Sequence, residues 1–273
     1  MNKLLLVGFA VATCLAASAA QAADLRMPVT KAPPLPPPPV FTWTGCYFGG
    51  HVGGGWGRKD FAGFPFAPDG ESFRLDTSGW LAGGQVGCDY QFANNWVIGI
   101  ENQGSWSDIK GDRADSFTTE FSTIDATAHA KTDWLVSITG RLGVTFDRWL
   151  VYGKGGVAFA GDKYRFDGQI ACTGTVRCEP PGPTLVDFSA SETRVGWTAG
   201  GGVEWAFVPN WSAKVEYMFY DFGRRRAAFF DSLGNLLLGG GGLPVDVTQK
   251  IHTVKFGLNY HFWTGPAPVA ARY

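Results

Sequence analysis

Hydrophobic and polar side chains alternate with a period of two along residues 249–262, QKIHTVKFGLNYHF. Val254, Phe256, Leu258, Tyr260 and Phe262 share one face, and Thr253, Lys255, Gly257, Asn259 and His261 share the other. That period predicts a β-strand. A large aromatic face opposite a polar and charged one is the reverse of a soluble sandwich strand, and it suits a strand with lipid outside. Unpaired backbone groups are costly in lipid, so such a strand belongs to a sheet closed on itself.

The same alternation recurs upstream. Phe92, Phe146 and Phe207 end strands, short turns follow (Ala93-Asn94-Asn95, Asp147-Arg148, Val208-Pro209-Asn210), and Trp96, Trp149 and Trp211 open the next strands. Asn, Asp and Pro favour tight turns, and Phe and Trp beside them suit the level where headgroups meet hydrocarbon. The pattern predicts eight strands at 45–58, 79–92, 96–106, 133–146, 149–160, 194–207, 211–221 and 249–262. Long polar loops would fill 59–78, 107–132, 161–193 and 222–248. The expected fold is all-β: an eight-stranded antiparallel transmembrane β-barrel with long extracellular loops and both termini periplasmic.

Composition sharpens the picture at the ends of the chain. The 273 residues include 38 Gly, 21 Phe and 11 Trp at a formal charge of −1, and no mature stretch is long and apolar enough for a spanning helix. Residues 1–22 read as a signal peptide: Lys3, the apolar run from Leu4 to Ala17, then Ala20-Gln21-Ala22 as the cleavage site. Residues 23–42 are proline-rich and read as a periplasmic linker, residues 43–262 as the barrel and residues 263–273 as a C-terminal tail. Four cysteines remain after the signal, Cys46, Cys88, Cys172 and Cys178, an even number in a disulfide-permissive compartment. Two disulfides are expected, Cys46–Cys88 and Cys172–Cys178, the second pair bracketing a short segment of the longest loop. Cys46 and Cys88 sit near the turn-side ends of an antiparallel hairpin, on its outward face, where either a bridge or two separate thiols would fit.

The motifs WTGCYFGGHVGGGWG at 43–57, GGQVGCDYQF at 83–92, RVGWTAGGGVEWAF at 194–207, KVEYMFYDFG at 214–223 and VKFGLNYHF at 254–262 resemble the alphaproteobacterial surface-antigen family of small outer-membrane β-barrels, often labelled outer-membrane or porin-family proteins. The resemblance spans signal, linker and all eight strands. It implies residence in the outer membrane of a Gram-negative bacterium, lipid and lipopolysaccharide as surroundings, and handling by the barrel-assembly machinery. It implies a constitutive envelope protein and no defined reaction. Family members are described as surface antigens, some as haem binders or adhesion factors. The chain departs from the family where Cys46 and Cys88 replace outward aromatics and where WTGPAPVAARY continues beyond Phe262.

Inward positions carry Asp89, Glu101, Glu204 and Glu216 against Arg141, Lys154, Lys214 and Lys255, four acids facing four bases. Charges in a narrow interior need partners, so the expectation is a salt-bridged plug, with a small porin-like pore as the alternative. Loop-mediated binding of lipopolysaccharide, haem or a host surface is the other alternative. Arg224, Arg225 and Arg226 are candidate lipopolysaccharide contacts, and His129 and Tyr164 the loop residues of a type that ligates haem iron. The four histidines, His51, His129, His252 and His261, lack any nucleophile, zinc or phosphate-loop motif, so no catalytic residue, metal, cofactor or nucleic-acid partner is expected.

Overall fold

The computed structural model describes residues 41–62, 73–93, 95–118, 122–172, 184–231 and 243–262. The signal peptide, most of the linker, the tail and Cys178 lie outside the described residues. The period-two segments form eight strands: β1 Gly45–Ala62, β2 Phe73–Phe92, β3 Trp96–Thr118, β4 Ser122–Phe146, β5 Trp149–Cys172, β6 Thr184–Val208, β7 Trp211–Asp231 and β8 Leu243–His261. Each pairs antiparallel with the next, and β1 pairs with β8, so the described sheet is a closed barrel. Closure leaves no open ladder edge for lipid to meet.

At the end carrying the short turns, the anticipated boundaries agree with the structure to within about one residue. Ala93 and Asp147 take positive φ values of 46° and 54° in the first two tight turns, the conformation that hairpin turns require. At the other end the expectation of long loops needs correction. Most of 73–78, 107–118, 122–132, 161–172, 184–193, 222–231 and 243–248 is strand, and the barrel wall runs well past the anticipated limits. The reason is visible in the side chains. Inward positions remain apolar there (Phe61, Leu75, Ile109, Tyr164, Val245 and Val247 are all buried), while outward positions turn charged.

Two aromatic rings mark the membrane band. Trp96, Phe146, Trp149, Trp205, Trp211 and Phe262 are exposed toward the turn end, and Trp56, Trp80, Trp106 and Trp197 toward the loop end. Trp96 and Trp106 are ten residues apart on β3. At ~3.4 Å per residue and a tilt of ~40° they are separated by roughly 26 Å in height, matching an apolar band of ~25 Å. Register shifts fall just beyond the second ring, between Trp106 and Ile109, Thr132 and Trp134, and Asp221 and Gly223. Bulges there re-aim the strands as they leave the band. Beyond them, outward charges pair, within β3 for Lys110–Asp108 at 3.0 Å and across strands for Lys131–Asp108 at 3.2 Å, Lys163–Asp133 at 2.6 Å and Arg165–Asp187 at 3.0 Å. Hydrogen bonds from Lys110 and Lys131 hold the Asp108 carboxyl below the ordinary carboxylate range.

Candidate functional site

The interior is the most elaborated part of the molecule, and it is built in layers. The first closes the turn end. Phe41 to Thr44 precede β1, and Gly45, with φ of 149°, turns the chain from this segment into the strand. Trp43 is folded inward, 1% exposed, against Val97, Leu150, Tyr152 and Ala206. Its backbone N–H donates to Gln91 Oε1 at 2.9 Å, and Gln91 N–H donates to Thr44 Oγ1 at 3.0 Å, which ties the segment to β2. Trp43 therefore plugs the turn-end mouth, just ahead of β1.

Above it lies a polar layer holding all eight inward charges anticipated from the alternation, each nearly inaccessible. Arg141 donates to Glu204 Oε2 at 2.9 Å and to Asp89 Oδ2 at 2.6 Å, with its guanidinium stacked 4.5 Å from the Tyr152 ring. Glu101 accepts from Lys154 at 2.6 Å, Lys214 at 2.8 Å, Tyr47 at 2.6 Å and Gln103 at 2.7 Å. Glu216 lies 2.6 Å from Lys154 and accepts from Tyr152 at 3.0 Å. Lys255 donates to Gln103 at 2.6 Å and Tyr220 at 2.9 Å. Four carboxylates and four cations form one connected network. Within it the signs cancel, and nearly every charge makes a charge-assisted hydrogen bond.

An apolar belt follows: Leu81, Ile109, Leu135, Ala158, Ala160, Met218, Phe222 and Ile251. Beyond it is a second polar layer, at the anticipated strand ends (Arg194, Gln249) and in what were expected to be loops (Lys59, Thr132, Asp162). Lys59 donates to Asp162 Oδ1 at 2.7 Å and to Thr132 at 3.2 Å, Gln249 donates to Asp162 at 3.2 Å, and Arg194 reaches Asp162, Glu192 and the Val247 carbonyl. A third apolar cluster, including Phe61, Leu75, Tyr164, Phe166, Phe188 and Val245, caps the stack. The interior is thus not uniformly polar. Continuation of the period-two pattern past Arg58 and Ala160 was the signal for the upper layers.

Cys46 and Cys88 are direct partners in the β1–β2 register and form a disulfide on the outward face. Arg224, Arg225 and Arg226 lie within β7, not in a loop. Gly223, at φ of 61°, bulges the strand just before them. All three are exposed, and alternation sends them to different faces; Arg226 pairs with Asp246 at 3.3 Å. His129 and Tyr164 are also strand residues. His129 is held between Asp112 and Asp167, and Tyr164 is buried beneath Lys59, so neither offers an open ligand position. His51 is buried between Gln85 and Ser105 at 2.6 and 2.7 Å. His261 Nε2 lies 2.9 Å from Ser212 Oγ and 3.6 Å from Glu204, a serine, histidine and carboxylate contact buried against the edge of the Trp43 ring. His252 faces outward, stacked on Trp56 and bonded to the Tyr217 hydroxyl at 2.7 Å.

A closed eight-stranded ring with an aromatic-bounded apolar exterior and a charge-paired interior defines an outer-membrane β-barrel. The chain belongs to the outer membrane protein beta-barrel domain family, whose profile matches residues 7–262. It is 31% identical over 253 residues to the 31 kDa outer-membrane immunogenic proteins of Brucella melitensis and Brucella suis, covering 90% of this chain and 95% of each relative. It is 23% identical over 240 residues to the 25 kDa outer-membrane immunogenic protein of Brucella abortus, covering 86% of this chain and 88% of that one. Among solved structures it is similar to Ail, the attachment invasion locus protein of Yersinia pestis, at 14% identity and a TM-score of 0.33 over 80% of this chain and 99% of that one.

Proposed function

We propose that this protein is a closed structural barrel of the outer membrane. It contributes to envelope integrity and displays its loop end to the exterior, with the turn end and both termini in the periplasm. The observation that carries this reading is the layered interior: two ion-paired storeys alternate with three apolar ones, and the charges of the lower storey balance. A conducting path needs a continuous wet lumen, usually lined by one sign of charge in excess. The names of the Brucella relatives, as immunogenic outer-membrane proteins, support surface display. Solute uptake into proteoliposomes tests the reading: permeability to small ions and sugars is expected to equal that of protein-free vesicles. Uptake rising in proportion to protein content would favour the pore.

A second reading, contact with lipopolysaccharide, is supported by the outer rim of β7, β8 and β1. Arg224, Arg225 and Lys250 are exposed and make no ion pair among the described residues. Lys250 is the register partner of Arg58, and directly below this row lie Trp56, His252 and Phe219. A cavity of about 530 Å³ opens among Trp56, Arg58, Asp76, Lys250 and His252. Cations above an aromatic shelf match a phosphorylated headgroup over its acyl chains. Changing Arg224, Arg225 and Lys250 together to Ala is expected to weaken lipopolysaccharide retention in a salt-sensitive way, with the barrel intact. Changing Arg226, already engaged by Asp246, should have a smaller effect. Equal retention by all variants would remove this contact from the account.

A further inference from the structure

The outward face between the aromatic rings is apolar apart from the Tyr217 hydroxyl, which bonds His252, and the Asn102 amide. Among the described outward positions in that band, Asn102 is the only side chain carrying an amide or a charge. It is exposed and makes no hydrogen bond among the described residues. On β3 it stands four residues from Trp106 and six from Trp96. At a strand rise of ~3.4 Å and a tilt of ~40° that places it roughly 10 Å inside the loop-end ring, well within hydrocarbon. An amide there has neither water nor a partner, and lipid supplies neither donor nor acceptor.

The surface around it is unusually smooth. Gly50 pairs with Gly84 and Gly84 with Gly104, a row of outward glycines across β1, β2 and β3. On the other side of Asn102, Gly140 of β4 pairs with Gly155 of β5. The barrel itself does not require these glycines. A Cβ built at Gly104 or Gly140 meets nothing within 4 Å, and at Gly50, Gly84 and Gly155 it makes ordinary contact at 3.7, 3.4 and 3.4 Å. None of the five has a positive φ. Inward glycines are different: at Gly83 a Cβ would run into the Gly104 carbonyl. Glycine without a local reason weakens a strand, and small residues on a lipid-facing surface allow another backbone to approach closely.

We propose that this face, centred on Asn102 and bordered by the Gly50–Gly84–Gly104 row and by Gly140 and Gly155, is where a second copy of this chain docks within the membrane. The amide selects that occupant. Asn carries both a donor and an acceptor, so across a two-fold axis two Asn102 side chains satisfy one another, whereas an acyl chain satisfies neither. The described surface around Asn102 between the rings holds no charge to oppose a like copy.

Sedimentation equilibrium of the mature protein in density-matched micelles tests the proposal, at detergent levels that dilute nonspecific pairs. The wild type is expected to show a dimer. Asn102→Val should raise the apparent dissociation constant about tenfold or more, the scale of one intramembrane polar contact between protein segments. Asn102→Gln should retain the dimer, and Gly104→Trp should abolish it by blocking approach. Val215→Trp, on the exposed face of β7, should leave it unchanged. All the variants are expected to keep heat-modifiable gel mobility, since each replaces an outward residue by one that lipid tolerates. A monomeric wild type would overturn the proposal, and so would a dimer equally stable in Asn102→Val and Gly104→Trp.

Discussion

Arg141→Ala is expected to lower barrel stability by about 3–5 kcal/mol, because it strands two carboxylates in a desolvated interior. Arg141 is 2% exposed and joins Asp89 on one side to Glu204 on the other, so its removal leaves Asp89 with no cation within ion-pair distance among the described residues. Urea unfolding in lipid vesicles measures the loss. The control separates charge from packing: Arg141→Met combined with Asp89→Asn and Glu204→Gln removes both carboxylate charges as it removes the cation. This variant should recover most of the stability, since a neutral core of similar volume often matches an ion-paired one. If the single variant costs less than about 1 kcal/mol, as exposed pairs do, then water reaches this layer and the ion pairs are not sealed.

Asp162→Ala is expected to have a comparably large but local effect. Asp162 is the hub of the upper polar layer, within reach of Lys59, Thr132, Gln249 and Arg194. Its loss leaves Lys59 buried with Thr132 as its remaining hydrogen-bond partner. At about 3–5 kcal/mol, opening of the loop-end extension should become more than a hundredfold more frequent. Hydrogen exchange resolves this: amides of β1 near Lys59, β5 near Tyr164 and β8 near Val247 should lose protection, while those between the aromatic rings keep it. Uniform loss along the strands would mean that the extension and the membrane band are one cooperative unit.

The lower half of the barrel was legible because three cues coincide there. Turn residues are flanked by Phe and Trp, outward positions are apolar, and inward positions are polar or small, so both strand limits and the eight-charge layer follow from period two. The juxtaposition of Cys46 with Cys88 follows from the same phase once the hairpin is recognised. The upper half was obscured because its outward residues are charged, among them Asp60, Asp76, Lys110, Lys163 and Arg165. Contrast between faces, which marks a membrane strand, is inverted there: polar outside, with Phe61, Leu75, Ile109 and Val247 inside. Such stretches look like polar loops unless the phase is carried forward from the membrane segment. Bulges then shift that phase, and the one at Gly223 is why three consecutive arginines do not read as strand. Trp43 was hidden for another reason. Its inward turn depends on Gly45 and on a hydrogen bond to Gln91 far along the chain, which no local pattern encodes.

The central claim is that the interior is closed, and single-channel recording on refolded mature protein in planar bilayers tests it most directly. The layered packing predicts a flat baseline at moderate voltage, with insertion verified by protease protection of the embedded strands. Stable, ohmic current steps whose number grows with inserted protein would show a water-filled path past Trp43, the Arg141 and Glu101 network and the Lys59–Asp162 layer, and would contradict the account.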